Sequence, residues 1–119
     1  MTAHIVRTAD AEHYTWGGPN GNDCDGWHLV RTAELSIIEE RMPAGVSEVR
    51  HHHVRARQFF YVLEGELSLE VEGDEVLICV GEGVEIGPGV AHQAMNRSGS
   101  AVRFLLTSQP PSHGDRVNR

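Results

Sequence analysis

Three of the eight histidines are consecutive, His51-His52-His53. Side chains alternate between the two faces of a strand, so His51 and His53 share a side while His52 points to the other. Two imidazoles at that spacing can converge on one ion at the ~2.0–2.1 Å nitrogen–metal distance usual for zinc. The same spacing also serves a solvated polar edge, and the pair alone leaves both readings open. Deciding between them needs further donors from elsewhere in the chain.

Other reactive side chains read more plainly. His4, His13 and His28 lie in a stretch of weak patterning and read as surface or interface residues. Cys79, between Ile78 and Val80, reads as a small buried hydrophobe. Cys24, in an Asn/Asp/Gly loop, reads as exposed, with no base beside it to make it a nucleophile. Two cysteines are too few for a disulfide scaffold, and reduced thiols fit a cytoplasmic protein. Arg55 and Arg57 flank the histidine segment. Surface ion pairs with nearby glutamates are their expected role, and a substrate anion is the alternative.

The elements that must position these groups are short. Residues 1–33 show little periodicity, and Trp16-Gly17-Gly18-Pro19-Asn20-Gly21-Asn22-Asp23 is dense in turn formers. From Glu34 onward, β-like runs fall at about 34–42, 46–54, 58–64, 66–72, 75–80, 84–86, 91–96 and 101–107. Gly- and Pro-containing turns separate them, a spacing that predicts an all-β sandwich or barrel. Leu67, Leu69 and Val71 alternate with Glu66, Ser68, Glu70 and Glu72, which sets one apolar and one acidic face. Phe59-Phe60-Tyr61-Val62-Leu63 is apolar on both faces, as in a strand covered on both sides by a second sheet or another subunit. The tail from Gln109 to Arg119, with Pro110-Pro111, cannot extend a central strand.

Further evidence comes from spacing. Gly45 is followed after five residues by His51-His52-His53, then by four residues, Gln58, six residues and Gly65. Gly81 is followed after five residues by Gly87-Pro88-Gly89, then by two residues, His92, three residues and Asn96. Fifteen residues separate Gly65 from Gly81. The two runs resemble the paired motifs of the cupin superfamily, and the short spacer is typical of its small single-domain members. Two departures stand out: Gln58 occupies the place where the family usually has Glu, and Gly87 stands in the Pro place, with Pro88 one step late.

The resemblance implies an all-β, antiparallel jelly-roll barrel with one divalent metal ion near its axis, held by His51, His53, Gln58 and His92. A barrel interior is apolar, so three imidazoles there need a partner, and a metal satisfies all three. Fe, Mn, Ni, Cu and Zn all remain open. Replacing a carboxylate by an amide leaves the site nearer a full divalent charge and holds the ion less firmly; Gln58 also cannot act as a general base. Strand parity places Gln58, Phe60 and Val62 on one pocket-facing side and His92, Ala94 and Asn96 on another. Met42, Ile86, Phe104 and Leu106 are weaker candidates for the pocket wall. The expected substrate pocket is therefore Phe60, Val62, Ala94, Phe104 and Met42, mostly apolar with a few convergent polar groups.

Length and composition set the remaining bounds. The 119 residues are read as a single domain, with an arm over 1–32, a barrel over 33–108 and a tail over 109–119. Seventeen acids stand against ten bases, every base is Arg, and no Arg lies between Gln58 and Asn96. A phosphate backbone would be repelled there, so nucleic acid is not an expected partner. No apolar run approaches the roughly 20 residues of a membrane span, and the start has no signal-peptide pattern, so the expected location is the cytoplasm. The two-sided strand 59–63 and the arm with Trp16 and Trp27 predict a homodimer. The functional expectation is a metal-dependent enzyme, dioxygenase-like or isomerase/cyclase-like, acting on a small oxygenated organic molecule. Its alternative is a non-catalytic barrel that binds a small ligand.

Overall fold

The computed structural model describes residues 3–119, almost all of whose regular structure is β. Eleven strands follow in order: β1 (Glu12–Trp16), β2 (Cys24–Arg31), β3 (Ser36–Met42), β4 (His51–His53), β5 (Arg57–Glu64), β6 (Leu67–Val71), β7 (Asp74–Ile78), β8 (Gly83–Ile86), β9 (His92–Met95), β10 (Val102–Gln109) and β11 (Arg116–Asn118). They form a six-stranded sheet, β1-β2-β3-β10-β5-β8, and a five-stranded sheet, β11-β4-β9-β6-β7. Every pairing is antiparallel. The fold is an antiparallel jelly roll of two sheets, and among the described residues no helix is long and apolar enough to cross a membrane.

Alternation builds the core. On β5, Gln58, Phe60 and Val62 turn inward and meet Phe104 and Val102 of β10 and Met42 of β3. Leu67 and Leu69 of β6, Ile78 of β7 and Ala94 of β9 close the cluster from the other sheet. The β6–β7 turn needs two residues at positive φ, and Glu72 (+51°) and Gly73 (+93°) supply them. Such a turn matches the twist of the flanking strands, and Gly73 adopts its angle without a Cβ penalty.

Several sequence expectations are corrected. The weakly patterned N-terminal third is not irregular: β1 and β2 form a hairpin that adds to β3. Its signal is weak because β2 carries Gly26 and its register shifts between His28 and Val30, which breaks simple alternation. The run at 46–54 is a strand only at His51–His53, preceded by an isolated bridge between Ser47 and Met95. Strand 59–63 has one face on the core, and on the other Phe59, Tyr61 and Leu63 are at 43%, 37% and 40% exposure, the face left for another subunit in the sequence reading. The cysteine readings are exchanged. Cys24 points into the core from β2, where burial raises its thiol to about 12, while Cys79 is exposed just beyond the end of β7. Beyond Pro110-Pro111 the chain returns to the edge of the smaller sheet, where β11 pairs with β4.

Candidate metal centre

His51 and His53 turn to the same interior side of β4, and Cα pairing brings His92 of β9 directly beside His51. All three rings are buried, with centroids 4.9 Å (His51–His53), 4.5 Å (His51–His92) and 6.0 Å (His53–His92) apart. One ring nitrogen from each lies within 4.8 Å of the others. His52, on the opposite side of the strand, meets Arg119 instead. The same-face expectation for His51 and His53 holds.

Local hydrogen bonds set which nitrogen is free. A carbonyl only accepts, so Nδ1–H of His51 donates to Val49 O at 2.8 Å and Nδ1–H of His92 donates to Val90 O at 2.9 Å. Each bond leaves Nε2 as the unprotonated nitrogen, the arrangement by which metal-bound histidines are oriented. Nε2 of His92 and Nδ1 of His53 are buried without a hydrogen-bond partner. Burial, foremost, holds His51 down to about 3 and His53 to about 4, and lowers His92 as well. The rings are therefore neutral at physiological pH, the form that ligates metals.

Gln58 is 3% exposed and its Nε2 donates to Ser108 Oγ at 3.0 Å. Its Oε1 has no hydrogen-bond partner. Buried polar atoms are rarely left unpaired, so the orphaned oxygen and imidazole nitrogens fit a shared cation as their missing partner. The residues present thus match the ion that the sequence resemblance implies.

A cavity of about 370 Å³ opens over this cluster, with His51, His53, Gln58 and Phe60 on its wall. Of the expected pocket residues only Phe60 lines it, joined by the weaker candidate Leu106. Met42, Val62, Ala94, Phe104 and Ile86 belong to the hydrophobic core instead. Parity chose their face correctly but not their depth along the barrel. Asn96 is a buried brace, donating to Met42 O and Ser100 O. Arg57 pairs with Glu85 at 2.8 Å, and Arg55 with Asp115 at 3.6 Å.

The structure adds side chains the sequence reading passed over. Tyr14, Glu40, Glu48 and Arg116 all line the cavity. The Tyr14 hydroxyl donates to Glu40 Oε2 at 3.0 Å. Burial, then the neighbouring Glu48 charge, raises Glu40 to about 8, and burial raises Glu48 to about 7. Glu39, one residue away, lies on the opposite face of β3, buried, and accepts from Arg103 at 2.7 Å and Thr8 at 2.7 Å. A usable signal existed for Glu40: the parity that turns Met42 inward also turns Glu40 inward. Nothing comparable marked Tyr14 or Arg116, whose approach depends on the hairpin and the returning tail. The tail is pinned by Asp115, whose carboxylate accepts from the backbone N–H groups of Arg55 (2.9 Å) and Ala56 (2.8 Å).

An antiparallel jelly roll that gathers three buried, neutral imidazoles beneath a cavity defines a class of metal-competent barrels. The family model for the cupin domain matches residues 38–108, more than half of the chain, and the chain belongs to that family. An uncharacterized protein of Methanocaldococcus jannaschii, MJ1618, is 25% identical over 89 residues, covering 74% of this chain and 71% of that one. Among solved structures, the polyketide cyclase RemF of Streptomyces resistomycificus superposes with a TM-score of 0.82 at 20% identity, over 98% of this chain and 85% of that one. A Thermotoga maritima protein described as a predicted oxalate decarboxylase superposes with a TM-score of 0.81 at 19% identity, over 91% of this chain and all of that one. Both structural likenesses are likenesses of fold.

Proposed function

We propose that this protein is a metal-dependent cupin enzyme that binds a small oxygenated organic molecule at a divalent ion held by His51, His53 and His92, with Gln58 as a fourth, weaker ligand. The observation that carries this reading is the set of buried, unpartnered donor atoms at the base of the cavity. A bound divalent ion would supply positive charge to a carbonyl, enol or carboxylate oxygen of the ligand. Glu40 supplies what a purely binding barrel does not need, an ionisable group on the cavity wall without a structural bond to the backbone. It favours an enzyme over a ligand carrier. The names of the structural neighbours, a cyclase and a decarboxylase, agree with chemistry at a small oxygenated carbon skeleton.

Elemental analysis of protein purified without added metal, followed by titration with Zn(II), Mn(II), Ni(II) and Fe(II), tests the site. One equivalent of metal is expected, abolished in His51→Ala and weakened in Gln58→Ala. Absence of any uptake would refute the reading. Saturable ligand binding without turnover under every metal would favour the non-catalytic barrel.

Assembly is part of the same proposal. Phe59, Tyr61 and Leu63 leave an apolar band on the outer face of β5, beside half-buried Leu105 of β10. A second copy of the chain covering that band makes a homodimer, and a sedimentation mass near 13.1 kDa at micromolar concentration would exclude it.

A further inference from the structure

Two carboxyl groups outside the histidine cluster open onto the same cavity, and only one of them has a structural reason to be there. Glu48 Oε2 accepts from the Ala94 N–H at 2.8 Å and so ties the β3–β4 connection to β9. Glu40 has no backbone donor among the described residues. Its Oε2 takes the Tyr14 hydroxyl at 3.0 Å, and no bond to Oε1 is formed by the described residues. On the same wall, Gln58 Oε1, in a side chain 3% exposed, is also without a partner. The cavity therefore presents both ligand atoms and a carboxyl oxygen free to meet a bound molecule.

We infer that Glu40 is the proton-transfer group of this site, and that its substrate is a small carbonyl compound with an acidic C–H beside the carbonyl. The inference rests on the metal-site reading above. Glu40 Oε1 takes the proton from the α-carbon. The C–H electron pair becomes the C=C bond of an enolate, and the carbonyl π pair moves onto the carbonyl oxygen. The proton on Oε1 exchanges with solvent, and the carboxyl then returns a proton to the same carbon, giving exchange. Where that carbon bears a hydroxyl, the hydroxyl proton passes to the former carbonyl oxygen and the Oε1 proton to the former carbonyl carbon, giving isomerisation. Nothing is oxidised or reduced, and no co-reactant is consumed.

Tyr14 is the positioning residue. Its hydrogen bond holds Oε2 of a carboxyl that lines the cavity, and its ring lies over Gly26, where a Cβ would overlap it. Groups from every neighbouring element face Glu40 or its cavity: Tyr14 of β1, Cys24 of β2, Glu48 of the β3–β4 loop, His51 and His53 of β4, and His113 and Arg116 of the C-terminal segment. Burial and the Glu48 charge make the Glu40 carboxylate a stronger base than an exposed one, while the Tyr14 hydrogen bond opposes them. A base poised near neutrality can both remove and return a proton.

The test uses the zinc-loaded full chain in deuterated water, with dihydroxyacetone and pentane-2,4-dione as probes, and proton NMR reads the replacement of C–H by C–D. Wild type is expected to accelerate exchange, and Glu40→Gln to lose about 100-fold or more while keeping its zinc. Glu39→Gln, on the opposite face, should exchange at the wild-type rate. Tyr14→Phe should move the midpoint of the pH profile upward, because the bond that favours the carboxylate is gone; this variant carries the test if Glu40→Gln does not fold. In metal-free protein at pH 7, the infrared absorption of protonated carboxyl should fall in Glu40→Gln. Full zinc with no exchange of either probe by wild type, wild-type exchange in Glu40→Gln, an equal loss in Glu39→Gln, an unmoved midpoint in Tyr14→Phe, or an unchanged carboxyl band would each overturn the inference while leaving the metal site standing. Failure to take up zinc would remove both.

Discussion

Gln58 and Ser108 face each other across β5 and β10, and the 3.0 Å bond from Gln58 Nε2 to Ser108 Oγ decides which end of the amide is left unpaired. The donor end is occupied and the oxygen is left unpaired beside the imidazole cluster. Ser108→Ala should let the amide rotate and weaken zinc binding by about 10-fold, the scale of lost outer-shell support. Gln58→Glu should tighten binding, because a carboxylate adds charge to the donor set. Competition titration with a chromophoric chelator reads both changes. Equal affinity in all three proteins would show that Gln58 is not a ligand.

Gly26 and Tyr14 form the second relationship open to mutation. They pair across β1 and β2, and a Cβ at position 26 would overlap the tyrosine ring. Gly26→Ala is expected to cost about 1–3 kcal/mol as an overpacking substitution and to displace Tyr14 from Glu40. Denaturant unfolding measures the first effect. The second should appear as the same upward movement of the exchange midpoint expected for Tyr14→Phe.

The stability of the metal-free protein should depend on pH through two opposed sets of groups. His51 and His53 are held at about 3 and about 4, below the ordinary 6.5, so the unfolded chain takes up protons that the folded one refuses. Their contribution is complete above pH 6.5 and is lost as pH falls through 4 toward 3. Glu40 and Glu48 are raised from 4.5 to about 8 and about 7, so their contribution is complete below pH 4.5 and is lost as pH rises through 7 to 8. The slopes oppose each other between pH 4.5 and 6.5, and the carboxyl slope alone remains from 6.5 to 8. Denaturation midpoints should therefore fall across that upper window, and Glu40→Gln should flatten the fall. A midpoint that rises from pH 6.5 to 8 would contradict these assignments.

Phe104 separates core from site. It is fully buried and packs on Phe60 at a centroid distance of 5.8 Å, away from the cavity wall. Phe104→Ala should cost about 3–5 kcal/mol of stability. Zinc content of the folded fraction should stay at one equivalent. A selective loss of metal without loss of stability would return Phe104 to the pocket.

The sequence by itself determined the β class and the shared face of His51 and His53, because alternation is short-range information. Gln58 and His92 it carried only as positions in the two motifs by which the sequence resembles cupins. What it could not carry was depth and long-range approach. Parity says that Met42, Val62, Ala94 and Phe104 face inward, but not whether an inward position meets the packed core or the cavity; the register of β3, β5 and β10 sends all four to the core. Parity also turns Glu40 inward, but a carboxylate on an inward face looks unfavourable until a hydroxyl and a cavity are there to receive it. Tyr14 reaches it only because Gly26 leaves room for its ring, and Arg116 joins the cavity only because β11 returns to pair with β4. Those contacts join residues far apart in the chain, so no local pattern encodes them, and only the packing of the two sheets brings them to one site.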